Sequence, residues 1–181
     1  MFINEKGGAD MKNRFAVLVG ALMIMAGSSH ALTSSQLTTF NVTVSTLFQL
    51  SIDQGYIDFG KMKPGETKGN MPPEGVTVQA QTNNGKPWYL KVCNGSPFSY
   101  GDEMIPNNNF MWSGWTDGAG KWYGTGNNKM TTTPTIIYES AASEYNNLPN
   151  GTNCRMKFRL KVPDDQAPGN YATTVKFTMT E

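Results

Sequence analysis

The chain has 181 residues, with 15 Lys+Arg against 14 Asp+Glu, one histidine and two cysteines. So even a balance gives no bulk attraction to nucleic acid or to an anionic membrane surface. The single histidine, His30, lies within the expected leader, and two cysteines with no histidine cannot make a zinc site of the usual ligand set.

The first element is an expected leader. Met11, Lys12 and Arg14 form a short basic region, "FAVLVGALMIMAG" (Phe15 to Gly27) is apolar, and "SSHA" offers a small-x-Ala cleavage pattern. Residues 1–31 therefore read as a signal peptide whose true start is Met11, cut after Ala31. About 13 apolar residues are too few for a membrane helix, which needs about 20. No cysteine adjoins the cut, which argues against a lipid anchor, and no span is expected in the mature chain. The protein is expected to be exported: extracellular, at the cell surface or periplasmic. Cleavage leaves residues 32–181, with 12 basic and 12 acidic side chains and no histidine. That length supports one domain with a substantial core.

Beyond the leader, hydrophobicity alternates with period two and shows no helical stripe. "TFNVTVS" puts Phe40, Val42 and Val44 on one face, within an N-terminal strand expected over 32–45. "LFQLSID" and "YIDFG" follow as strands, and Pro64-Gly65 in "KPGE" makes a turn. "GVTVQAQT" alternates Val76, Val78 and Ala80 against Thr77, Gln79 and Gln81. "PWYLKVC" alternates Trp88, Leu90 and Val92 against Tyr89, Lys91 and Cys93. "NFMWSGW", a "TDGAGK" turn and "KWYG" read as a hairpin, and "TIIYES" as a shorter strand. "CRMKFRLKV" alternates most cleanly. "NYATTVKFTMT" closes the chain with Tyr171, Thr173, Val175, Phe177 and Met179 on one face. One wet face per strand and frequent Gly, Pro and Asn turns predict an all-β, antiparallel, immunoglobulin-like β-sandwich over 46–181, with seven to nine strands. In an exported chain Cys93 and Cys154 are expected to form a disulfide, stabilising the fold by roughly 4 kcal/mol. A pair of buried thiols is the alternative.

The search for chemistry returns little. Without histidine there is no Ser-His-Asp or Cys-His arrangement. No Gly-rich phosphate loop opens a helix. The neighbouring acids Asp102-Glu103 and Asp164-Asp165 sit in turns, where adjacent side chains point apart, unlike a glycosidase pair. Asp117 in "TDGAGK" lacks the ordered acidic spacing of a calcium loop. The expectation is a protein that is not an enzyme and uses no cofactor or metal.

Two features suit binding. Trp112, Trp115, Trp122 and Tyr123 lie in an aromatic segment rich in Gly and Asn, where exposed rings would stack on sugars. The plainer reading packs those rings across a hairpin and over one end of the core. In "RMKFRLKV", Met156, Phe158, Leu160 and Val162 form the core face. Arg155, Lys157, Arg159 and Lys161 then share the opposite face, about 7 Å apart. That stripe suits an anionic polysaccharide or an acidic strip on a neighbouring subunit. It also suits a solvated face balanced by acids on adjacent strands that discourages wrong edge pairing.

The two ends of the mature chain carry a resemblance. Phe40, Val42 and Val44 near the start, and Gly169, Tyr171, Val175, Phe177 and Met179 at the finish, resemble the terminal strands of chaperone–usher fimbrial subunits, above all the colonisation-factor type. The resemblance covers about 25 residues. It implies a structural or adhesive pilin-like surface subunit. Such a subunit has an incomplete sandwich whose groove is filled by the N-terminal strand (Leu37 to Val44) of another copy or a related subunit, after a periplasmic chaperone has supplied a temporary strand. The cysteine pair departs from that family's pattern. "YIDFGKMKPGE" and the Pro-Gly-x-Tyr ending also resemble small secreted sandwiches of the spore-coat-U and WxL-like type, some of them complete in themselves. The second reading is accordingly a self-complete secreted sandwich that binds glycan through the Trp-rich loop.

Overall fold

A computed structural model describes residues 38–181. The expected signal peptide lies outside these residues, as do positions 32–37. Thr43–Glu181 forms one compact unit, and residues 38–42 belong to a separate one. The stretch 38–47 has no regular secondary structure, so the strand expected from "TFNVTVS" is not formed here.

Among the described residues alternation becomes eleven antiparallel strands in chain order. They are β1 (Phe48–Ile52), β2 (Thr67–Thr82), β3 (Tyr89–Asn94), β4 (Phe98–Tyr100), β5 (Glu103–Ile105), β6 (Phe110–Thr116), β7 (Lys121–Trp122), β8 (Asn128–Lys129), β9 (Thr135–Glu139), β10 (Thr152–Lys161) and β11 (Val175–Thr180). The count exceeds the expected seven to nine because β4, β5, β7 and β8 have only two or three residues each, too short to show a period. One sheet has the order β1-β2-β10-β6-β8, a second β11-β3-β9-β7, and β4-β5 is a small hairpin. Among the described residues no helix is long and apolar enough to cross a membrane.

The two larger sheets share one core. Val76, Val78 and Ala80 of β2 and Met156, Phe158 and Leu160 of β10 join a cluster with Leu90 and Val92 of β3 and with Ile137 and Tyr138 of β9. Trp88, just before β3, is fully buried as its alternation predicts. Its indole N–H donates to the Glu144 carbonyl at 3.1 Å, which satisfies a buried polar group. The rings of Phe110 and Phe158 stack with centroids 5.6 Å apart.

Three local expectations need correction. "YIDFG" forms no strand, yet Ile57 and Phe59 still pack against the core. The segment is held instead by the Lys68 ammonium, which donates to the carbonyls of Phe59 and Lys61 at 2.7 and 2.9 Å. The expected hairpin at "NFMWSGW…KWYG" is a crossing between layers: β6 pairs with β10 and β8, whereas β7 pairs with β9 in the other sheet. The closing strand starts at Val175, preceded by a single bridge between Ser99 and Ala172.

Cys93 and Cys154 are both free, buried thiols, so the expected disulfide is not formed in this structure. The reason is alternation. Cys154 occupies the inward face of β10 with Met156 and Phe158, in the first sheet. Cys93 stands on β3 of the second sheet, out of phase with the inward Leu90 and Val92, and is paired in register with Lys176. A bridge needs Cβ atoms about 4 Å apart and pointing at each other.

Candidate functional site

β1 pairs only with β2 and β11 only with β3, so among the described residues each keeps one edge without a strand partner. These two edges lie on the same side of the molecule and approach one another. Between them opens a largely apolar groove of about 670 Å³, lined on one wall by Ile52, Val76, Phe158 and Leu160 and on the other by Val175 and Phe177, with Gln54, Asp58, Gln166 and Thr173 also reaching it. Its floor is aromatic. Phe59, Phe98 and Phe110 meet edge-to-face, with centroids 5.0 to 6.4 Å apart.

The groove exists because β1 stops early. Asp53 ends the ladder: its N–H donates to the Thr77 carbonyl at 3.1 Å, and its carboxylate accepts from the Thr77 N–H at 2.8 Å. β2 continues to Thr67 with β10 on one side but no strand on the other. The irregular segment after Asp53 lays Ile57, Phe59 and Met62 against the core without completing the ladder. Val175, Phe177 and Met179 of β11 remain only partly buried.

At the opposite end of β1 the chain is fixed by Asn83. Its side chain accepts from the Leu47 N–H at 2.6 Å and donates to the Ser45 carbonyl at 3.1 Å. Val44 is 77% exposed, Val42 88% and Phe40 90%, and none of the three belongs to the core cluster.

The four aromatic residues considered for glycan binding do not form one surface. Trp112 is 4% exposed and belongs to the core. The Trp122 indole packs edge-to-face on it at 6.2 Å and donates to the Gly114 carbonyl at 3.0 Å. Tyr123 stands beside β7 with Lys121 and donates to the Glu139 carboxylate at 2.9 Å. Trp115 faces out from the other sheet, opposite Arg155. A sequence window holding all four rings thus spreads them over the interior and two outer faces, because the chain changes layer inside it.

Arg155, Lys157, Arg159 and Lys161 do share the outer face of β10, as alternation predicts, with Arg155, Arg159 and Lys161 exposed and Lys157 half-buried. The acids expected on adjacent strands do not pair with them. Among the described residues the only ion pair joins Lys86 to Glu181, at 2.9 Å.

A buried carboxylate, Glu144, escaped notice in the sequence. The Tyr138 hydroxyl lies 2.6 and 2.5 Å from its two oxygens, the Thr152 hydroxyl donates at 2.8 Å and the Ala141 N–H at 2.8 Å. Both oxygens are thereby occupied within the fold. Among the described residues no group of three or more His, Cys, Asp or Glu is placed to hold a metal ion. No local signal marked the groove either: its walls and floor come from segments scattered between Ile52 and Phe177.

No family model, curated protein or solved structure matches this chain.

Proposed function

We propose that the protein is an exported, non-catalytic structural or adhesive subunit with an immunoglobulin-like sandwich, which assembles by donating its Leu37–Val44 segment to the groove of another copy. One observation carries this reading. An apolar groove lies open beside the unpaired edge of β11, and the same chain holds three alternating apolar side chains, Phe40, Val42 and Val44, almost wholly exposed. A strand added to β11 would satisfy its free N–H and C=O groups, and every second side chain would enter the groove. Left empty, such an edge and groove invite aggregation, which gives a reason for a temporary chaperone during export.

The test compares the mature chain, 32–181, with a form starting at Ser45, by size-exclusion chromatography and unboiled gel electrophoresis. A heat-sensitive ladder from the first, and a folded species that does not polymerise from the second, is the expected result. A stable monomer that unfolds on truncation would instead make the sandwich self-complete and end the polymer reading.

A further inference from the structure

The stripe on β10 is what the groove leaves unexplained. Successive outward residues on a strand are about 6.7 Å apart, so Arg155, Lys157, Arg159 and Lys161 form a single file of cations about 20 Å long. One acid lies on a flanking strand: Glu74 of β2, exposed, stands in the irregular stretch opposite Lys157 and makes no ion pair with the stripe. Arg155 lies between Thr77 and Trp115, Lys157 faces Ser113, and Arg159 faces Met111. Asp117, just past β6, is engaged by the backbone N–H and side-chain amide of Asn153, both at 2.8 Å. No carboxylate of the described residues lies within 4.0 Å of the four cations. Trp115, 44% exposed, lies against them: Lys157 Nζ is 5.5 Å and Arg155 Cζ 6.0 Å from its ring centroid. The ring holds two otherwise flexible cations in place and adds an apolar surface beside them.

We propose that this face binds a linear acidic polysaccharide, its anionic groups on the four cations and a sugar ring against Trp115. A file one strand wide fits a single extended polyanion better than a duplex or a bilayer. Those partners attract proteins through broad positive fields, and the mature chain has none, with 12 charges of each sign. Single-stranded nucleic acid calls for successive stacking platforms, and only one ring is present here. The inference is independent of strand donation, because the stripe lies on the outer face of a sheet and the groove lies between the sheets.

The probe is a size-defined heparin oligosaccharide, titrated into mature 32–181 by calorimetry, with uncharged dextran, an oligothymidylate and phosphatidylserine vesicles in parallel. Heparin should bind, and more weakly as salt rises. Lys157→Gln with Arg159→Gln should weaken it about tenfold or more. Trp115→Ala should weaken it about threefold without changing the charge. Lys91→Gln with Lys176→Gln, which removes equal charge from the other sheet, should change it little. Circular dichroism checks that each variant is folded. The proposal is overturned if heparin does not bind, if the two double variants weaken it equally, or if the oligothymidylate or the vesicles bind more tightly than heparin.

Discussion

Glu144 shows what a charge needs in order to sit in a β core. It is 6% exposed, and donors from Tyr138, Thr152 and Ala141 surround it. Removing the acceptor strands those donors away from water, so Glu144→Ala should cost about 3 kcal/mol, read as a lower urea midpoint with unchanged slope. A loss under about 1 kcal/mol would mean that water replaces the carboxylate freely. The same region predicts alkaline sensitivity. Burial pushes the Cys154 thiol up to about 12 from an ordinary 9.0. Burial, then the hydrogen bond to Glu144, raises the Tyr138 phenol well above its usual range. Both folded values lie above the unfolded ones, so the folded state keeps these protons longer. Their contribution is whole below about pH 9 and is lost as pH rises toward 12. Cys154→Ala should therefore flatten the fall of the urea midpoint above pH 9, and an unchanged slope would place the loss elsewhere. Ellman titration completes the thiol account: none reactive in the native protein and two per chain in denaturant. None in denaturant would mean a bridge and a different facing for β3 or β10.

At the scale of the element, legibility followed the reach of the physics. β10 and β3 were readable because each is one uninterrupted alternation with a wet face and a dry one. The far half of β2 was hidden by Pro72, Pro73 and Gly75, where the register against β10 slips between Met156 and Phe158. The β6–β7 crossing was hidden for another reason. "TDGAGK" reads as a hairpin turn, and nothing local says that the next strand joins the other sheet. What permits the crossing is close approach at Gly114. A Cβ there would collide with the Arg155 carbonyl oxygen and meet the Trp122 ring at 3.1 Å. Both are fixed, the first by the β6–β10 ladder and the second by its bond to the Gly114 carbonyl. Gly114→Ala should thus cost about 3 kcal/mol, as overpacking does at its upper range. Gly126→Ala is the control: φ is +80° but nothing lies within 4 Å, so only the left-handed backbone penalty of about 1 kcal/mol applies. Equal melting temperatures for the two variants would refute the close-approach account. The groove lay beyond this kind of reading altogether, because it depends on which strands end up at the sheet edges.

For the whole molecule, the proposed strand donation would make an asymmetric contact. Donor and acceptor surfaces differ, so each copy keeps one of each and growth does not close on itself unless a ring forms. That asymmetry can be tested by disabling the two surfaces separately. A form starting at Ser45 lacks the donor but keeps the groove. Val175→Asp keeps the donor and puts an unpaired carboxylate in the groove wall, on a residue that is only partly buried. A charge desolvated there without a partner should cost several kcal/mol on strand insertion, enough to block it. Each form alone, checked for folding by circular dichroism, should run as a monomer in size exclusion. Mixed, they should give a heterodimer and nothing larger, since the intact donor of one meets the intact groove of the other and no further pair remains. A mixture that stays monomeric would break the link between the exposed segment and the groove. A ladder from the Ser45 form alone would show that the copies associate through another surface.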